Sequence, residues 1–424
     1  MSALFHLRQW RLKLWAVVRS IVQPIVRPMV LLTVLWLLSG CALPQVSAEE
    51  RLFLDVSLDF LGSVVVPADT AVEGMPVRGL SAIAYSPERD RLYALSDDRS
   101  VHAPSRFYTL KLAIANAETV TLEGVEVESV TPLLAEDGNP YPEGRIDPEG
   151  LALSPRQSVF VSTEGDAERG IAPGVAEFDL ASGRWQGQLP IPERFTPRVV
   201  DGQPQGVQNN RGFEALTLNP AGVAANSIEP FRLFTATESS LQQDRPPAPA
   251  TNASEVDTEG DPSGNASAAD APAPARFLHY LIGEDQPTLL AEHLYWVEPP
   301  PSGATENGLV DMVTLDQAGH FLALERSFGI AAGAGARIFQ LETGSATDIS
   351  GIPSLAGDTA GIQPIRKQLV LDLGQLGIWL DNLEGMAIGP RLPDGSQSLV
   401  LVSDDNFSDL QMTQFLLFRL RLGR

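Results

Sequence analysis

An all-β fold, and within it a β-propeller, is predicted by three features of the 424-residue sequence. One strand-pair pattern recurs five times, a third strand follows most copies at similar spacing, and no long stretch shows the 3.6-residue apolar period of a helix. Short antiparallel sheets repeated in this way protect their edges by closing into a ring.

The repeated unit is an acid, alternating small and apolar residues, a turn, and a second strand ending in an acid. The first copy is Ser81-Ala-Ile-Ala-Tyr-Ser-Pro with Leu92-Tyr-Ala-Leu-Ser-Asp97, and it alone lacks the leading acid. Glu149-Gly-Leu-Ala-Leu-Ser-Pro pairs with Val159-Phe-Val-Ser-Thr-Glu164, and Glu214-Ala-Leu-Thr-Leu-Asn-Pro with Leu233-Phe-Thr-Ala-Thr-Glu238. The fourth copy reads as Asp311-Met-Val-Thr-Leu-Asp with His320-Phe-Leu-Ala-Leu-Glu325, and the fifth as Glu384-Gly-Met-Ala-Ile-Gly-Pro with Leu399-Val-Leu-Val-Ser-Asp404. Ser-Pro, Asn-Pro and Gly-Pro are turn chemistry, so each pair is expected to be a hairpin.

Third strands are expected at Arg106–Leu112, Val175–Leu180, Phe277–Ile282, Ala336–Leu341 and Gln414–Leu420. Fourth strands are expected at Thr119–Val127, Leu289–Val297 and Gln368–Leu373. The last unit has no sequence left for a fourth strand, so the N-terminal strand, Leu52–Val66, is expected to supply it and close the ring. A Pro-, Ala-, Ser- and Asp-rich stretch at about 239–275 reads as a disordered insertion. Residues 181–211 and 343–380 are long enough to hide a divergent sixth blade, which makes six blades the expectation. The propeller would occupy 51–424.

Residues 1–41 carry Arg8, Arg11, Lys13, Arg19 and Arg27 and no acid, followed by an apolar run from Met29 to Leu38. These are the charged and apolar parts of an export signal. The run closes on Leu38-Ser39-Gly40-Cys41, which resembles the lipobox of bacterial lipoproteins; the resemblance implies lipidation of Cys41, a short tether at 42–50 and attachment to a cell-envelope membrane on its periplasmic or extracellular side. Ala42 and Leu43 lack the aspartate associated with inner-membrane retention. The alternative is an uncleaved anchor, with residues 16–38 as a spanning helix. Cys41 is the only cysteine, which excludes a disulfide, a thiolate metal site and a cysteine nucleophile in the folded domain. The charge of −23 makes nucleic acid an unsuitable partner. A monomer is expected.

In a propeller, first strands line the central channel and second strands run back beside them. The start of one and the end of the other therefore share a face. This predicts a ring of carboxylates at one channel mouth: Glu149, Glu164, Glu214, Glu238, Asp311, Glu325, Glu384 and Asp404, with Asp97, Asp98 and Asp405 nearby. Clustered anions repel unless a cation sits among them, and hard oxygen ligands favour Ca²⁺ or Mg²⁺, with Ca²⁺ the expected ion. The competing arrangement has each acid locked to an arginine. Arg145, Arg211 and Arg326 accompany the acids, Arg106 starts a third strand, and their planar forks suit phosphate or carboxylate. His102 is a candidate general acid. No Gly-x-Ser-x-Gly, His-Glu-x-x-His or phosphate-binding glycine loop is present.

The segments Leu80-Ser-Ala-Ile-Ala-Tyr, Asp147-Pro-Glu-Gly-Leu-Ala152, Gly212-Phe-Glu-Ala-Leu216, Leu324-Glu-Arg326 and Asn382-Leu-Glu-Gly-Met-Ala387 resemble the phytase-like domain family, over nearly the whole exported part. The resemblance implies a propeller distantly similar to calcium-dependent alkaline phytases, in which channel-mouth carboxylates hold calcium, basic side chains assist and water attacks phosphorus. Glu149, Glu214, Asp311 and Glu384 would match the metal-binding role, and Arg145, Arg211 and Arg326 the basic one. Ser81 departs from the pattern, and lysines are nearly absent, which points to a small phosphate or carboxylic ester. A non-catalytic binding propeller at the cell envelope and a calcium-dependent lactonase or carboxylesterase are the alternatives.

Overall fold

The computed structural model describes residues 52–116, 120–219, 229–245, 271–284, 286–357 and 359–423. The expected export signal, Cys41 and the expected tether lie outside the described residues, as does 246–270 of the expected insertion. Its two ends are ordered: Gln242–Asp244 forms a 3-10 turn, and a strand begins at Ala273.

The strands, in chain order, are β1 (Val56–Val66), β2 (Ala71–Val72), β3 (Met75–Pro76), β4 (Leu80–Ser86), β5 (Arg91–Ser96), β6 (Arg106–Asn116) and β7 (Val120–Pro132). Then come β8 (Pro148–Leu153), β9 (Ser158–Thr163), β10 (Gly174–Asp179), β11 (Trp185–Gln188), β12 (Arg198–Val200) and β13 (Gln203–Gln205). The second half holds β14 (Phe213–Leu218), β15 (Phe231–Thr237), β16 (Ala273–Ile282), β17 (Thr288–Val297), β18 (Glu306–Thr314), β19 (His320–Gly329), β20 (Gly333–Glu342) and β21 (Arg366–Asp372). β22 (Asn382–Arg391), β23 (Gln397–Asp404) and β24 (Thr413–Leu422) end the chain.

Five four-stranded antiparallel sheets form among the described residues, β4 to β7, β8 to β11, β14 to β17, β18 to β21, and β22-β23-β24-β1. β1 pairs with β24 from Val56↔Leu422 to Val66↔Thr413. The propeller has five blades, not the expected six. The stretch 181–211 is used for the short outer strand β11 and the β12–β13 hairpin, and 343–380 for the outer strand β21 and a loop that packs Ile349 and Leu355 on Leu294.

Packing follows the same count. Five of the hydrophobic clusters lie between neighbouring blades: Leu95 and Phe107 on Leu151 and Phe178, Phe160 on Leu216 and Phe231, Phe234 and Phe277 on Phe321, Leu322 and Ile338 on Leu399 and Phe418. The last joins the ends of the ring, with Ile83 and Tyr108 on Val402 and Phe415. Blade faces are apolar on both sides because each is buried by a neighbour, so the second strands read as continuous apolar runs such as Leu399-Val-Leu-Val402. All five sheets are complete within Phe53–Arg424, which forms one compact unit.

Candidate functional site at the acidic channel mouth

Strand register decides which repeat residues face the channel mouth. In every blade one pair precedes a β-bulge in the inner strand: Leu80↔Ser96, Pro148↔Thr163, Phe213↔Thr237, Leu309↔Glu325 and Leu383↔Ser403. A bulge re-aims side chains at a sheet end. The next inner-strand residue is therefore Ser81, Glu149, Glu214, Val310 or Glu384. The residue that follows on the second strand is Asp97, Glu164, Glu238, Arg326 or Asp404.

The fourth blade corrects the sequence reading by one residue. Asp311 and Glu325 do not take the ring positions; Val310 and Arg326 do. A slip of one residue turns a strand's side chains to the opposite face. Asp311 instead aligns with Ala82, Gly150, Ala215 and Gly385, and its buried carboxylate accepts N–H bonds from Met312 (2.8 Å), Met386 (2.6 Å) and Leu216. It thereby bridges the inner strands of both adjacent blades. Glu325, also buried, accepts from the Tyr295 hydroxyl (2.7 Å), Asn307 Nδ2 (2.7 Å) and Lys367 Nζ (2.6 Å), a structural network away from the ring.

The remaining predicted acids meet. Asp147, Glu149 and Glu164 each offer an oxygen within 4.8 Å of the others, and so do Glu164, Glu214 and Glu238, so Glu164 belongs to both groups. Glu384 and Asp404 continue the ring toward Asp97. Burial pushes Glu149, Glu164, Glu214, Asp97 and Asp404 well above the usual carboxylate range, and the neighbouring carboxylates push the same way. Glu238 and Glu384 are raised less, because burial is opposed by Arg326. Asp147 rises to about 6, through burial opposed by Arg99.

Three arginines serve this cluster. Arg326 lies inside it, 3.3 Å from Glu384 and 3.9 Å from Glu238. Arg211 is 3.9 Å from Glu238 and Arg99 is 2.6 Å from Asp147, both with partly exposed side chains. Arg145 is exposed, and among the described residues it makes no ion pair with the ring. Arg99 and Asp147 were missed as site residues in the sequence because neither sits at a repeated position. His102 is exposed and its ring stacks on Phe407 at 4.2 Å. Asp98 belongs to a buried pair with Arg106 (2.8 Å), and Asp405 binds Arg78 (2.7 Å).

Three positive charges do not balance eight carboxylates. Glu164 Oε2, Glu214 Oε2 and Asp97 Oδ1 are buried without a hydrogen-bond donor. Such orphaned acceptors are costly, and a hard cation is the group that satisfies several at once. The donor set is all oxygen, as Ca²⁺ or Mg²⁺ requires.

Glycines let the ring close this tightly. A Cβ on Gly212 would stand 2.3 Å from the Glu164 carbonyl oxygen and 2.5 Å from its Cα, and one on Gly150 would stand 2.2 Å from the Glu214 carbonyl oxygen. Gly212→Ala is expected to cost about 1–3 kcal/mol of stability in urea denaturation, by forcing the start of β14 away from the end of β9.

A family model described as "Phytase-like: Esterase-like activity of phytase" matches residues 75–407. No curated protein matches the chain. Among solved structures it is similar to the Dos1 propeller (8% identity, 81% of this chain and 68% of that one, TM-score 0.31). It is also similar to the catalytic domain of a Coprinopsis cinerea GH62 α-L-arabinofuranosidase (9% identity, 85% and 96%, TM-score 0.39). A third similar structure is a GH130-family glycoside hydrolase that targets β-1,2 mannosidic linkages in Candida mannan (11% identity, 84% and 94%, TM-score 0.40).

Proposed function

The chain belongs to the phytase-like family, and from that premise we propose a metal-dependent hydrolase of small phosphoric or carboxylic esters, anchored at the cell envelope through Cys41. The observation that carries this reading is the pair of carboxylate groups sharing Glu164, with buried oxygens that no donor meets. Glu149, Glu164, Glu214 and Glu238 would hold Ca²⁺, and Asp147 and Glu384 would flank it. A bound ion supplies Lewis acidity toward the ester oxygen.

The rest falls to the chain's own side chains. Arg99 and Arg211 stand at the mouth with partly exposed guanidinium groups and would receive the substrate's anionic oxygens. Arg326 is largely enclosed by the acids; it would offset carboxylate repulsion and hold Glu238 and Glu384 in place. Water would then displace the alcohol at phosphorus or at the carbonyl carbon. The sequence has three lysines, Lys13, Lys111 and Lys367, and Lys367 is engaged by Glu298 and Glu325. A substrate with one anionic group suits this mouth better than a polyphosphate.

Glu164→Gln is the decisive variant. We expect it to lower Ca²⁺ affinity by at least tenfold in calorimetry and to remove hydrolysis of p-nitrophenyl phosphate and p-nitrophenyl acetate, with an unchanged circular dichroism spectrum. Intact turnover in the variant would overturn the reading. Tight Ca²⁺ binding by the unaltered protein without hydrolysis of any ester would favour the binding propeller instead.

A further inference from the structure

The other end of the channel has the opposite chemistry. From the register of Ile83, Leu151, Leu216, Met312 and Met386 onward, the inner strands line a cavity of about 800 Å³. Its wall is mainly apolar, with Leu153, Leu218, Leu315 and Ile388 toward the opening and Thr217 and Thr314 among them. The Asp311 carboxylate, bonded to inner strands on both sides, stands between this cavity and the acidic mouth. Among the described residues no carboxylate of the mouth lines this cavity, which makes it a distinct site.

Charge on the cavity wall is unlike that of the chain. The sequence has 53 acidic residues against 30 basic ones, yet the charged residues on this wall are Arg391 and Arg421, and among the described residues no acid lines it. Arg421 is shared with Asp59 at 2.8 Å. Arg391 is exposed, donates to the Gly395 carbonyl at 3.2 Å, and among the described residues forms no ion pair. A mainly apolar pocket whose charged lining residues are both cations is complementary to a molecule with a long apolar chain and one anionic end.

We propose that this cavity binds a single-chain anionic amphiphile of the fatty-acid class, tail inward along the channel axis and carboxylate on Arg391 and Arg421. The size agrees, since small-molecule ligand pockets are roughly 300–1,000 Å³. The site is separate from the proposed hydrolase centre and does not depend on it.

The test uses the compact unit Phe53–Arg424 and the fluorescent probe 11-(dansylamino)undecanoic acid. One equivalent should bind with enhanced emission, and palmitate should displace it at least tenfold better than hexadecanol. Ala84→Trp, which fills the cavity, should remove binding while leaving the melting curve cooperative. Arg391→Gln should weaken palmitate five- to tenfold and leave hexadecanol unchanged. EGTA should have no effect, which separates this site from the acidic mouth. Absence of uptake, uptake of several equivalents, unaltered binding by folded Ala84→Trp, or equal displacement by acid and alcohol would each overturn the proposal.

Discussion

Stripping divalent cations from the protein is expected to abolish ester hydrolysis and to lower its melting temperature, with a larger drop at pH 8 than at pH 5. The sign follows from the acids of the mouth. Their folded-state proton affinities lie above the unfolded values, Asp147 at about 6 and Glu149, Glu164 and Glu214 well raised. Well below pH 4 these groups are protonated in both states and contribute no pH dependence. Between the unfolded and folded values the native state keeps protons that the unfolded chain releases, so stability falls as pH rises. The metal-free protein is therefore most stable in mild acid and loses stability from about pH 4 upward through the neutral range. Ca²⁺ held at the mouth would reverse this by replacing the protons. At a free concentration one hundred times its dissociation constant a bound ion would add about 2.7 kcal/mol, or roughly 3–4 °C in a chain of this size. Differential scanning fluorimetry at the two pH values, with EGTA and with Ca²⁺, measures both effects. A metal-free protein that is equally stable at pH 5 and pH 8 would show that the carboxylates are already neutralised by the arginines.

Much of this site was legible because the fold is a repeat. Glu149 and Glu164, Glu214 and Glu238, and Glu384 and Asp404 occupy equivalent places, and period alone brings them to one end of the ring. The fourth blade misled because its acids, Asp311 and Glu325, stand one residue out of phase with those of the other blades. In a string of letters a one-residue offset is easily absorbed into an alignment, whereas in a strand it turns the side chain to the other face. Met312 against Met386 and Leu216 is the hidden cue: Leu309-Val-Asp-Met aligns with Leu383-Glu-Gly-Met and Phe213-Glu-Ala-Leu, placing Val310 with the glutamates. The sixth blade failed for a different reason. Long connecting segments carry sequence enough for strands, but five inter-blade cores already close on themselves, with Ile83 against Val402. The short strand β11 was missed because Trp185-Gln-Gly-Gln188 lacks the β-branched composition on which strand recognition depends.

The offset gives the fourth blade its own part in the site, and the largest single-residue effect is expected there. Arg326 takes the position that the other four blades give to an acid, and it faces Glu238 and Glu384 with little solvent contact. Removing one partner of a buried ion cluster leaves the other uncompensated, which typically costs about 3–5 kcal/mol. Arg326→Gln keeps most of the volume and some hydrogen-bonding capacity but removes the charge. It is expected to lower stability at pH 8 by an amount in that range, and to regain much of it at pH 5, where the freed Glu238 and Glu384 retain protons. Ca²⁺ at millimolar concentration is expected to rescue the variant in part at pH 8, because a divalent ion can take over the lost positive charge. Urea denaturation at the two pH values, with and without Ca²⁺, distinguishes this from a packing defect. A loss of stability indifferent to both proton and Ca²⁺ would mean that Arg326 acts as a filler of space, and that the carboxylates around it do not share one electrostatic field.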